Sequence, residues 1–398
     1  MQYTTLGEVS IDNRGYYGIG ASAVPYNESL YTYLRITDIK DDGTLNFSDL
    51  KSVSDKDASD YLLKPNDIVF ARTGASTGRN YFYDGTDGEF VYAGFLIKFS
   101  IDPEKINPKY IKYYCLSKPY RDWISAFNTG STRGNINAQT LASMPIPLLS
   151  RPQQDRLVSI LESISQKIKQ NEKINNNLYE QTMTLYREWF VDYIPFGGIV
   201  PTDWKNTTLG SIASCLLGGT PSREKPEYWG GTIPWINSGA INLFRITKPS
   251  ELITELGLKR SATKLLPVKT TVIAITGATL GQVSLLEIAT CANQSVVGIV
   301  PNSVLPYEFI YPFIITNIKE LISHQTGGAQ QHINKQNVEN LPICVPDAIS
   351  MAKYQTVVSD IYAMIANNCY ENDQLIAIRD VLLPKLMSGE LDVSNIDI

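Results

Sequence analysis

One spacing pattern constrains the fold of this 398-residue chain more than any other feature. From Leu157 onward, residues recur at alternating intervals of four and three, at Leu157, Leu161, Ile164, Ile168, Asn171, Asn175, Leu178, Thr182, Leu185 and Trp189. A heptad seam of this kind, without an internal proline, predicts one long helix that packs against another helix. At about 1.5 Å per residue the helix would span about 60 Å. A small domain cannot bury such a rod alone, so a partner helix is required.

The partner helix is predicted at the other end of the chain. Adding 197 to each number gives the same seam without a gap, at Tyr354, Val358, Ile361, Ile365, Asn368, Asn372, Leu375, Arg379, Leu382 and Leu386. Two unrelated surface helices would match this closely only by chance, so we interpret the chain as a tandem duplication in which a long helix closes each copy. Polar seam residues cost stability but fix register and partner choice. The residues predicted to set the register of the pair are Asn171, Asn175, Asn368 and Asn372.

Shorter landmarks repeat as well, whereas the segments between them differ almost completely. The matched pairs are Thr4–Gly7 with Thr207–Gly210, Thr73–Gly78 with Thr276–Gly281, and Ile136–Asn137 with Ile333–Asn334. A fixed frame is thus repeated while the residues carried on it change. We expect this pattern of a protein that reads two different targets with one scaffold.

Short runs rich in Val, Ile, Tyr and Thr, separated by turn residues, predict that strands dominate both globular copies. The predicted fold class is therefore α+β, with two globular β-rich domains and two long helices. The predicted division is a first globular domain (1–150), a central long helix (151–192), a linker (193–205), a second globular domain (206–347), a C-terminal long helix (348–391) and a tail (392–398).

Composition and missing motifs argue against catalysis by this chain. Its net charge of −5 is not that of a purely electrostatic nucleic-acid binder. Five cysteines without a C-x-x-C pair and only two histidines favour neither a disulfide framework nor a metal site. The sequence also lacks Asn-Pro-Pro-Tyr/Phe, which an amino-methyltransferase would need, and the common metal-nuclease motif. We therefore expect no catalytic residue and no metal. The lack of a signal segment or an 18-residue apolar run predicts a cytoplasmic protein.

Two glycine-rich stretches imitate cofactor motifs. Tyr16–Ala23 has the glycine spacing of dinucleotide and S-adenosylmethionine sites, but residues 10–14 are too polar for the buried strand that such sites need. We predict a plain glycine loop there. Gly74–Arg79 is one residue short of a phosphate-binding loop and lacks its lysine. Two interpretations of this second stretch stay open, a tight turn between strands and a loop that presents Ser and Thr to DNA.

Sequence reading in the major groove uses Arg or Lys for guanine, Asn or Gln for adenine, and Ser or Thr for several base edges. Loops rich in these residues are the predicted DNA-binding elements, although an ordinary turn is the alternative for each single residue. In the first copy the candidates are Arg35, Thr37, Arg72, Ser76, Thr77, Arg79, Thr129, Ser131, Thr132, Arg133 and Asn135. In the second copy they are Asn237, Ser238, Thr276, Thr279, Gln282, Thr326, Gln330, Gln331, His332 and Lys335.

Several stretches resemble the specificity (S) subunits of type I restriction-modification systems. Gly218–Ser222 with Tyr228–Ile236 is similar to the opening of many target recognition domains, and Tyr33–Ile39 resembles the same block of another domain type. Leu382–Leu391 resembles the C-terminal signature of the family, and Glu188–Asp192 resembles its counterpart after the central helix. The resemblance covers essentially the whole chain.

The resemblance implies two target recognition domains, separated by the two long helices in an antiparallel coiled coil. They would read the two halves of a bipartite, asymmetric site in double-stranded DNA. It also implies two modification subunits, which bind S-adenosylmethionine and methylate adenine, and restriction subunits, which use ATP and Mg. This chain itself would bind no cofactor.

Two other functions stay open at this point. One is a self-contained DNA-modifying enzyme with an unrecognised active site, against which the missing motifs speak. The other is a duplicated β-rich protein that binds a non-DNA ligand, because Trp229, Trp235 and the 23 tyrosines could stack on sugars. The paired long helices and the predicted cytoplasmic location fit that second function poorly.

Overall fold

The computed structural model describes residues 2–127, 135–323, 332–387 and 390. The chain divides into two units, of which unit 1 comprises Met1–Gln166 with Leu375–Ile398 and unit 2 comprises Lys167–Gln374. Both boundaries fall inside long helices. Each unit therefore contains one globular part of the chain and a segment of both helices.

The described part of unit 1 is built on two four-stranded sheets. Its strands are β1 (Gln2–Thr5), β2 (Tyr16–Tyr17), β3 (Ala23–Pro25), β4 (Thr32–Leu34), β5 (Lys51–Val53), β6 (Asp67–Ala71), β7 (Asn80–Tyr83), β8 (Phe90–Tyr92), β9 (Leu96–Ser100) and β10 (Pro145–Leu148), and its short helices are α1 (Pro108–Tyr114), α2 (Lys118–Ser125) and α3 (Ala138–Ala142). The sheets have the orders β2-β9-β6-β7 and β3-β5-β4-β8, and β1 pairs with β10. Within the second sheet β4 and β8 are parallel, so the sheet is mixed.

The first long helix, α4 (Arg151–Phe190), follows β10 after a short gap. Strand β10 contains Pro145 and Pro147. The chain is extended at this point because residues before a proline avoid the helical region. Ser150 begins the helix, since its Oγ and its N–H both donate to Oε1 of Gln153 (2.9 and 3.1 Å). The bond to the Ser150 N–H is one half of a capping box, the half in which the third helical residue reaches back to the cap.

Unit 2 repeats the architecture of unit 1. Its strands are β11 (Lys205–Thr208), β12 (Ser214–Leu217), β13 (Trp229–Ile236), β14 (Arg245–Ile246), β15 (Glu251–Ile253), β16 (Leu265–Leu266), β17 (Thr271–Ala274), β18 (Val283–Leu286), β19 (Thr290–Ala292), β20 (Val296–Val300) and β21 (Pro342–Val345), and its short helices are α5 (Leu209–Ile212), α6 (Glu255–Lys259), α7 (Tyr307–Ser323) and α8 (Lys335–Glu339). The sheets have the orders β12-β20-β17-β18-β14 and β15-β13-β19-β16, and β11 pairs with β21 as β1 pairs with β10.

The second long helix, α9 (Ala348–Met387), has forty residues, as α4 does. Asp347 caps it, because its Oδ1 accepts the N–H groups of Ile349 (2.8 Å) and Ser350 (3.0 Å). Every seam position predicted from the sequence is buried or half-buried in these two helices. The predicted pair of long helices with a heptad seam is therefore confirmed.

The helices run antiparallel where they pair within unit 2. Nδ2 of Asn171 donates to Oδ1 of Asn372 (2.8 Å), and Nδ2 of Asn368 donates to Oδ1 of Asn175 (2.8 Å). The duplication relates these two hydrogen bonds, since Asn171 matches Asn368 and Asn175 matches Asn372. A shifted register would leave these amides facing apolar side chains. This arrangement supports the prediction that the four asparagines set the register.

In unit 1 the same helices enclose a hydrophobic cluster. Leu157 and Leu161 of α4 belong to it, together with Leu383 and Leu386 of α9. The cluster continues into the globular part of the unit, where α1 and α3 cover the first sheet. The helix ends are thus part of the core of the unit rather than a separate rod.

Glu162 of α4 holds helix α1 in unit 1. Its Oε1 accepts hydrogen bonds from Lys112 (2.7 Å) and Tyr113 (2.6 Å), and its Oε2 accepts one from Lys109 (2.6 Å). The side chain is 16% exposed. Burial by itself raises the pKa of Glu162, but the hydrogen bonds from Lys109, Lys112 and Tyr113 outweigh burial and lower the pKa from 4.5 to about 2.

We expect Glu162→Gln to destabilise unit 1 most at neutral pH. Because the folded-state pKa lies below the unfolded value, the carboxylate stabilises the fold fully above pH 4.5 and loses that contribution as the pH falls towards 2. The contribution is about 2–3 kcal/mol. Chemical denaturation at several pH values measures this effect. The free energy of unfolding should be lower in the variant by that amount at pH 7, and the difference from wild type should shrink as the pH falls.

Asp122→Asn is the matched control for this measurement. Asp122 pairs with Lys118 on the surface of the same unit, where the two side chains are 62% and 75% exposed. Exposed pairs contribute little to stability, so this variant should differ little from wild type at either pH. If Glu162→Gln lowered the free energy of unfolding equally at pH 7 and at pH 2.5, the lowered pKa of Glu162 would be contradicted.

Candidate nucleic-acid interface

The same strand–turn–strand motif occurs in both units. In unit 1 the turn Gly74–Gly78 joins β6 to β7, and in unit 2 the turn Gly277–Gly281 joins β17 to β18. A glycine of positive φ begins and ends each turn, with values of +75° at Gly74, +88° at Gly78, +65° at Gly277 and +82° at Gly281. Only glycine adopts these angles without strain, which explains why the glycines recur in both copies.

Backbone hydrogen bonds and packing also agree between the two turns. The Ala71 N–H donates to the carbonyl of Arg79 (2.8 Å), and the Ala274 N–H donates to that of Gln282 (2.9 Å). Each stretch is thus a tight turn between strands, and whether the first turn also presents Ser and Thr to DNA stays a prediction. Gly74–Gly78 also has the sequence Gly-x-Ser-x-Gly, but a nucleophile elbow needs a helix after the turn, and here a strand follows.

A helix packs directly on the second glycine of each turn. A Cβ atom at Gly78 would lie 2.4 Å from Cγ2 of Ile124, and a Cβ atom at Gly281 would lie 2.3 Å from Cδ1 of Ile322. Helices α2 and α7 therefore support the two turns in the same way. A turn backed by a packed helix holds its side chains at fixed positions.

The chain that leaves each predicted polar loop lies beside the turn. Asn135 forms a β-bridge with Thr73, and His332 forms one with Thr276. In both units the turn and the described end of the polar loop therefore meet. Among the described candidates, this places Asn135 beside the turn of unit 1 and His332 beside the turn of unit 2.

The repeated Ile-Asn pair anchors this edge. Ile136 and Ile333 are 2% and 1% exposed, so each fixes the chain in the core of its unit. The following residues, Asn137 and Asn334, cap helices α3 and α8 with their side chains. An apolar anchor followed by a helix cap explains why this dipeptide is kept in both copies.

The Tyr16–Ala23 stretch is a close approach of two chain segments. A Cβ atom at Gly18 would lie 2.2 Å from the carbonyl oxygen of Ala93, and in unit 2 a Cβ atom at Gly218 would lie 2.1 Å from that of Asn293. The stretch begins with strand β2 and ends at Ala23, the first residue of strand β3. The order of strand, glycine loop and helix that a dinucleotide site needs is absent from residues 2–34, in agreement with the predicted plain loop.

Two of the candidate arginines are held by carboxylates. Arg35 donates from Nη2 to Oδ1 of Asp38 (2.6 Å) and from Nε to Oδ2 (3.0 Å), and these bonds raise the pKa of Arg35. Arg79 donates from Nε to Oδ1 of Asp41 (2.6 Å). In each arginine the ion pair occupies some of the five guanidinium donors and leaves fewer for a base. Both stay predicted DNA contacts.

Arg72 differs from these two arginines. Its guanidinium carbon lies 5.0 Å from the centre of the Tyr17 ring, and its Nε is buried without a hydrogen-bond partner. The N–H of Arg72 donates to the carbonyl of Phe95 (3.0 Å), whose side chain is 59% exposed. Tyr17 and Phe95 were not among the predicted contacts. Neither residue type belongs to the usual set for base hydrogen bonding, and the sequence does not reveal that both lie beside Arg72.

The remaining described candidates are exposed or half-buried. Exposed candidates are Thr37, Asn135, Asn237 and His332, and half-buried ones are Ser76, Thr77, Ser238, Thr276, Thr279, Gln282 and Lys335. In unit 2 the 3-10 turn that begins at Ser238 contacts the Gly277–Thr279 turn. In unit 1 the ion pair between Arg79 and Asp41 joins the turn to the segment that carries Arg35 and Thr37.

Some candidates lie outside the described residues, namely Thr129, Ser131, Thr132, Arg133, Thr326, Gln330 and Gln331. Within the described ranges, no three His, Cys, Asp or Glu side chains are grouped to hold a metal ion. No helix in those ranges is long and apolar enough to cross a membrane.

Comparison with known proteins places this architecture in a family. A family model for the type I restriction modification DNA specificity domain matches residues 5–180 and 201–365. The type I restriction enzyme MjaIX specificity subunit of Methanocaldococcus jannaschii is 24% identical over 312 residues, which are 74% of this chain and 72% of that protein. The HindI specificity subunit of Haemophilus influenzae is 21% identical over 403 aligned residues, covering 83% of this chain and 87% of that protein.

A solved structure has the same fold. The crystal structure of a type I restriction-modification system S subunit from M. genitalium aligns with a TM-score of 0.56 and 16% identity, covering 97% of this chain and 95% of that chain. The family model matches both copies of the duplicated frame, one in each matched range. The chain therefore belongs to the family of type I restriction-modification specificity (S) subunits.

Proposed function

We propose that this chain is the DNA sequence-recognition subunit of a type I restriction-modification complex. Unit 1 reads one half of a bipartite, asymmetric site, and unit 2 reads the other half. The chain performs no catalysis itself. The non-DNA ligand binder and the self-contained enzyme are disfavoured, because the family match covers both copies and its relatives are specificity subunits.

A single observation supports this proposal most directly. The two units have the same turn, the same helix caps and the same glycine contacts, yet different side chains occupy equivalent backbone positions. Arg72 in unit 1 corresponds to Ile275 in unit 2, and Arg79 corresponds to Gln282, by the hydrogen bonds that each backbone makes. Two identical frames with different chemistry suit two different base sequences.

Partners would supply the remaining activities of the complex. Two modification subunits would dock on the chain, bind S-adenosylmethionine and methylate an adenine in each half-site. Restriction subunits would supply ATP- and Mg-dependent cleavage. The location would be the cytoplasm, where the host DNA lies.

Mapping of N6-methyladenine across a genome tests this function. We expect co-expression of this chain with its modification subunit to methylate adenines in two short specified sequences, separated by a fixed number of unspecified bases. The modification subunit expressed alone is the control and should give no such motif.

Other outcomes would favour other functions. A continuous motif would mean that only one unit reads DNA. An intact complex without methylation would leave a scaffolding role, and methylation by the purified chain alone would favour the self-contained enzyme. Binding of a glycan without salt-sensitive binding of DNA would favour the non-DNA ligand binder.

A further inference from the structure

The backbone of Arg72 is fixed on both sides at the end of β6. Its N–H donates to the carbonyl of Phe95 (3.0 Å), and its carbonyl accepts the N–H of Ile136 (2.9 Å). The first bond joins it to the turn before β9, and the second joins it to the chain that leaves the polar loop. The side chain of Arg72 therefore starts from a defined point in the candidate interface.

The guanidinium of Arg72 lies over the ring of Tyr17. The guanidinium carbon of Arg72 lies 5.0 Å from the centre of the Tyr17 ring. Tyr17 is held at both ends, because its backbone pairs with Ile97 in the sheet and its hydroxyl accepts the N–H of Ala138 (3.2 Å). An aromatic ring fixed in this way limits the orientations of the planar guanidinium above it.

The hydrogen-bonding capacity of Arg72 is unused within the described part of the chain. Arg35 and Arg79 each bond a carboxylate. For Arg72 no ion pair or side-chain hydrogen bond occurs among the described residues, and Nε is buried without a partner. A buried donor without a partner destabilises a fold. The fold of unit 1 therefore gains little from the charge at this position.

Unit 2 shows that the frame does not require an arginine here. The equivalent of Arg72 is Ile275, which is 5% exposed and belongs to the core of unit 2. The equivalent of Tyr17, counted from the matching Gly18 and Gly218, is Leu217. The same turn therefore forms with two apolar residues in place of the stacked pair, so the pair serves another purpose in unit 1.

We infer that the Arg72 guanidinium, oriented by Tyr17, reads a guanine in the half-site of unit 1. This inference rests on the proposed function. Guanine presents two acceptors, O6 and N7, in the major groove, and the two terminal nitrogens of an arginine match them with parallel hydrogen bonds. With Nε buried, the terminal nitrogens are the donors that face a base. Tyr17 is a positioning residue, which acts through Arg72.

Replacement of single guanines with 7-deazaguanine tests this inference, since the analogue lacks N7 and still pairs with cytosine. The complex of the full chain with its modification subunit is titrated with DNA of the mapped site, in which each guanine is replaced in turn. We expect wild type to lose about tenfold or more in affinity at one guanine of one half-site. Arg72→Met, which removes every donor at about the same side-chain length, should bind natural DNA about as weakly and should not respond to the replacement at that guanine.

Two further variants separate reading from folding. Tyr17→Leu copies unit 2 and should reduce the response at that guanine, whereas Tyr17→Phe keeps the ring and should retain it. Arg14→Met is the matched control, because Arg14 likewise lies over a tyrosine ring, 4.7 Å from the centre of Tyr16, but is not a predicted DNA contact, and this variant should respond as wild type does. Hydrogen exchange in peptides of unit 1 should not become faster in Arg72→Met, because the Arg72 side chain makes no hydrogen bond among the described residues.

The outcomes distinguish this inference from the function on which it rests. Bipartite methylation with no response at any guanine would overturn the inference alone, and so would an equal response in wild type and Arg72→Met. So would a bipartite site without a guanine in either half. The absence of a bipartite motif would overturn the proposed function and this inference together.

Discussion

Replacement of Phe190 with alanine should destabilise unit 2 by about 3–5 kcal/mol, the usual cost of removing a buried phenylalanine ring. Phe190 is the last residue of α4 and is 8% exposed. Its ring lies edge-on to Phe309 of α7 and Tyr354 of α9, with centroids 4.9 and 4.8 Å apart. The rings of Trp204 and Tyr186 lie 5.8 and 5.4 Å away. The truncation therefore removes contacts that hold both long helices to the globular part of unit 2.

Hydrogen exchange of the full chain, resolved by peptide, measures this effect where it occurs. A single unfolding temperature would be hard to interpret in a chain of two units. We expect faster exchange in peptides of residues 167–323, with little change in peptides of residues 2–127. Val191→Ala is the matched control, because Val191 is the next residue and is 43% exposed. Unchanged exchange in Phe190→Ala would mean that the neighbouring rings close the cavity.

The long helices were predictable because their signal is local and periodic. A seam of ten positions tolerates an error at any one of them, and the polar residues Asn171 and Asn368 strengthened the match between the two copies rather than disturbing it. The direction of pairing was not predictable from the seam, since a heptad pattern is compatible with parallel and antiparallel helices. Only the family resemblance predicted that the two helices are antiparallel.

The sequence pattern marked the fixed points around the candidate interface, but it did not reveal the contacts that fix them. The repeated glycines and the repeated Ile-Asn pair marked fixed points in both copies. Their causes are contacts between segments far apart in sequence, such as Ile124 packing on Gly78. No local pattern contains such contacts, which is why the turn and the DNA loop stayed open as alternatives.

The candidate side chains were the least predictable part. Arg79 and Asp41 lie 38 residues apart, yet they form an ion pair. Arg72, by contrast, has no such partner among the described residues. Residue type alone made Arg72 and Arg79 equal candidates, and only their surroundings separate them. Phe95 was overlooked because an exposed aromatic residue in a turn has no distinctive sequence signal.

Gly18→Ala should destabilise unit 1 strongly, whereas Gly20→Ala should have almost no effect. A Cβ atom at Gly18 would lie 2.2 Å from the carbonyl oxygen of Ala93 and 2.3 Å from that of Tyr92. Both obstacles are backbone atoms, which cannot move without breaking strand pairing at β8. We expect a cost on the order of 3 kcal/mol or more. At Gly20 no atom lies within 4 Å of the added Cβ, so alanine there should be neutral or slightly stabilising.

This pair of variants also separates two explanations of the glycine motif. If the glycines bound a cofactor, both alanines would weaken binding and neither would need to destabilise the protein. If close packing is the cause, only Gly18→Ala speeds hydrogen exchange in β2 and β9 of unit 1. Because unit 2 has the same contact at Gly218, 2.1 Å from the carbonyl oxygen of Asn293, Gly218→Ala should have the same effect in β12 and β20. Equal loss of stability from Gly18→Ala and Gly20→Ala would contradict this account, since the structure gives Gly20 no neighbour to clash with.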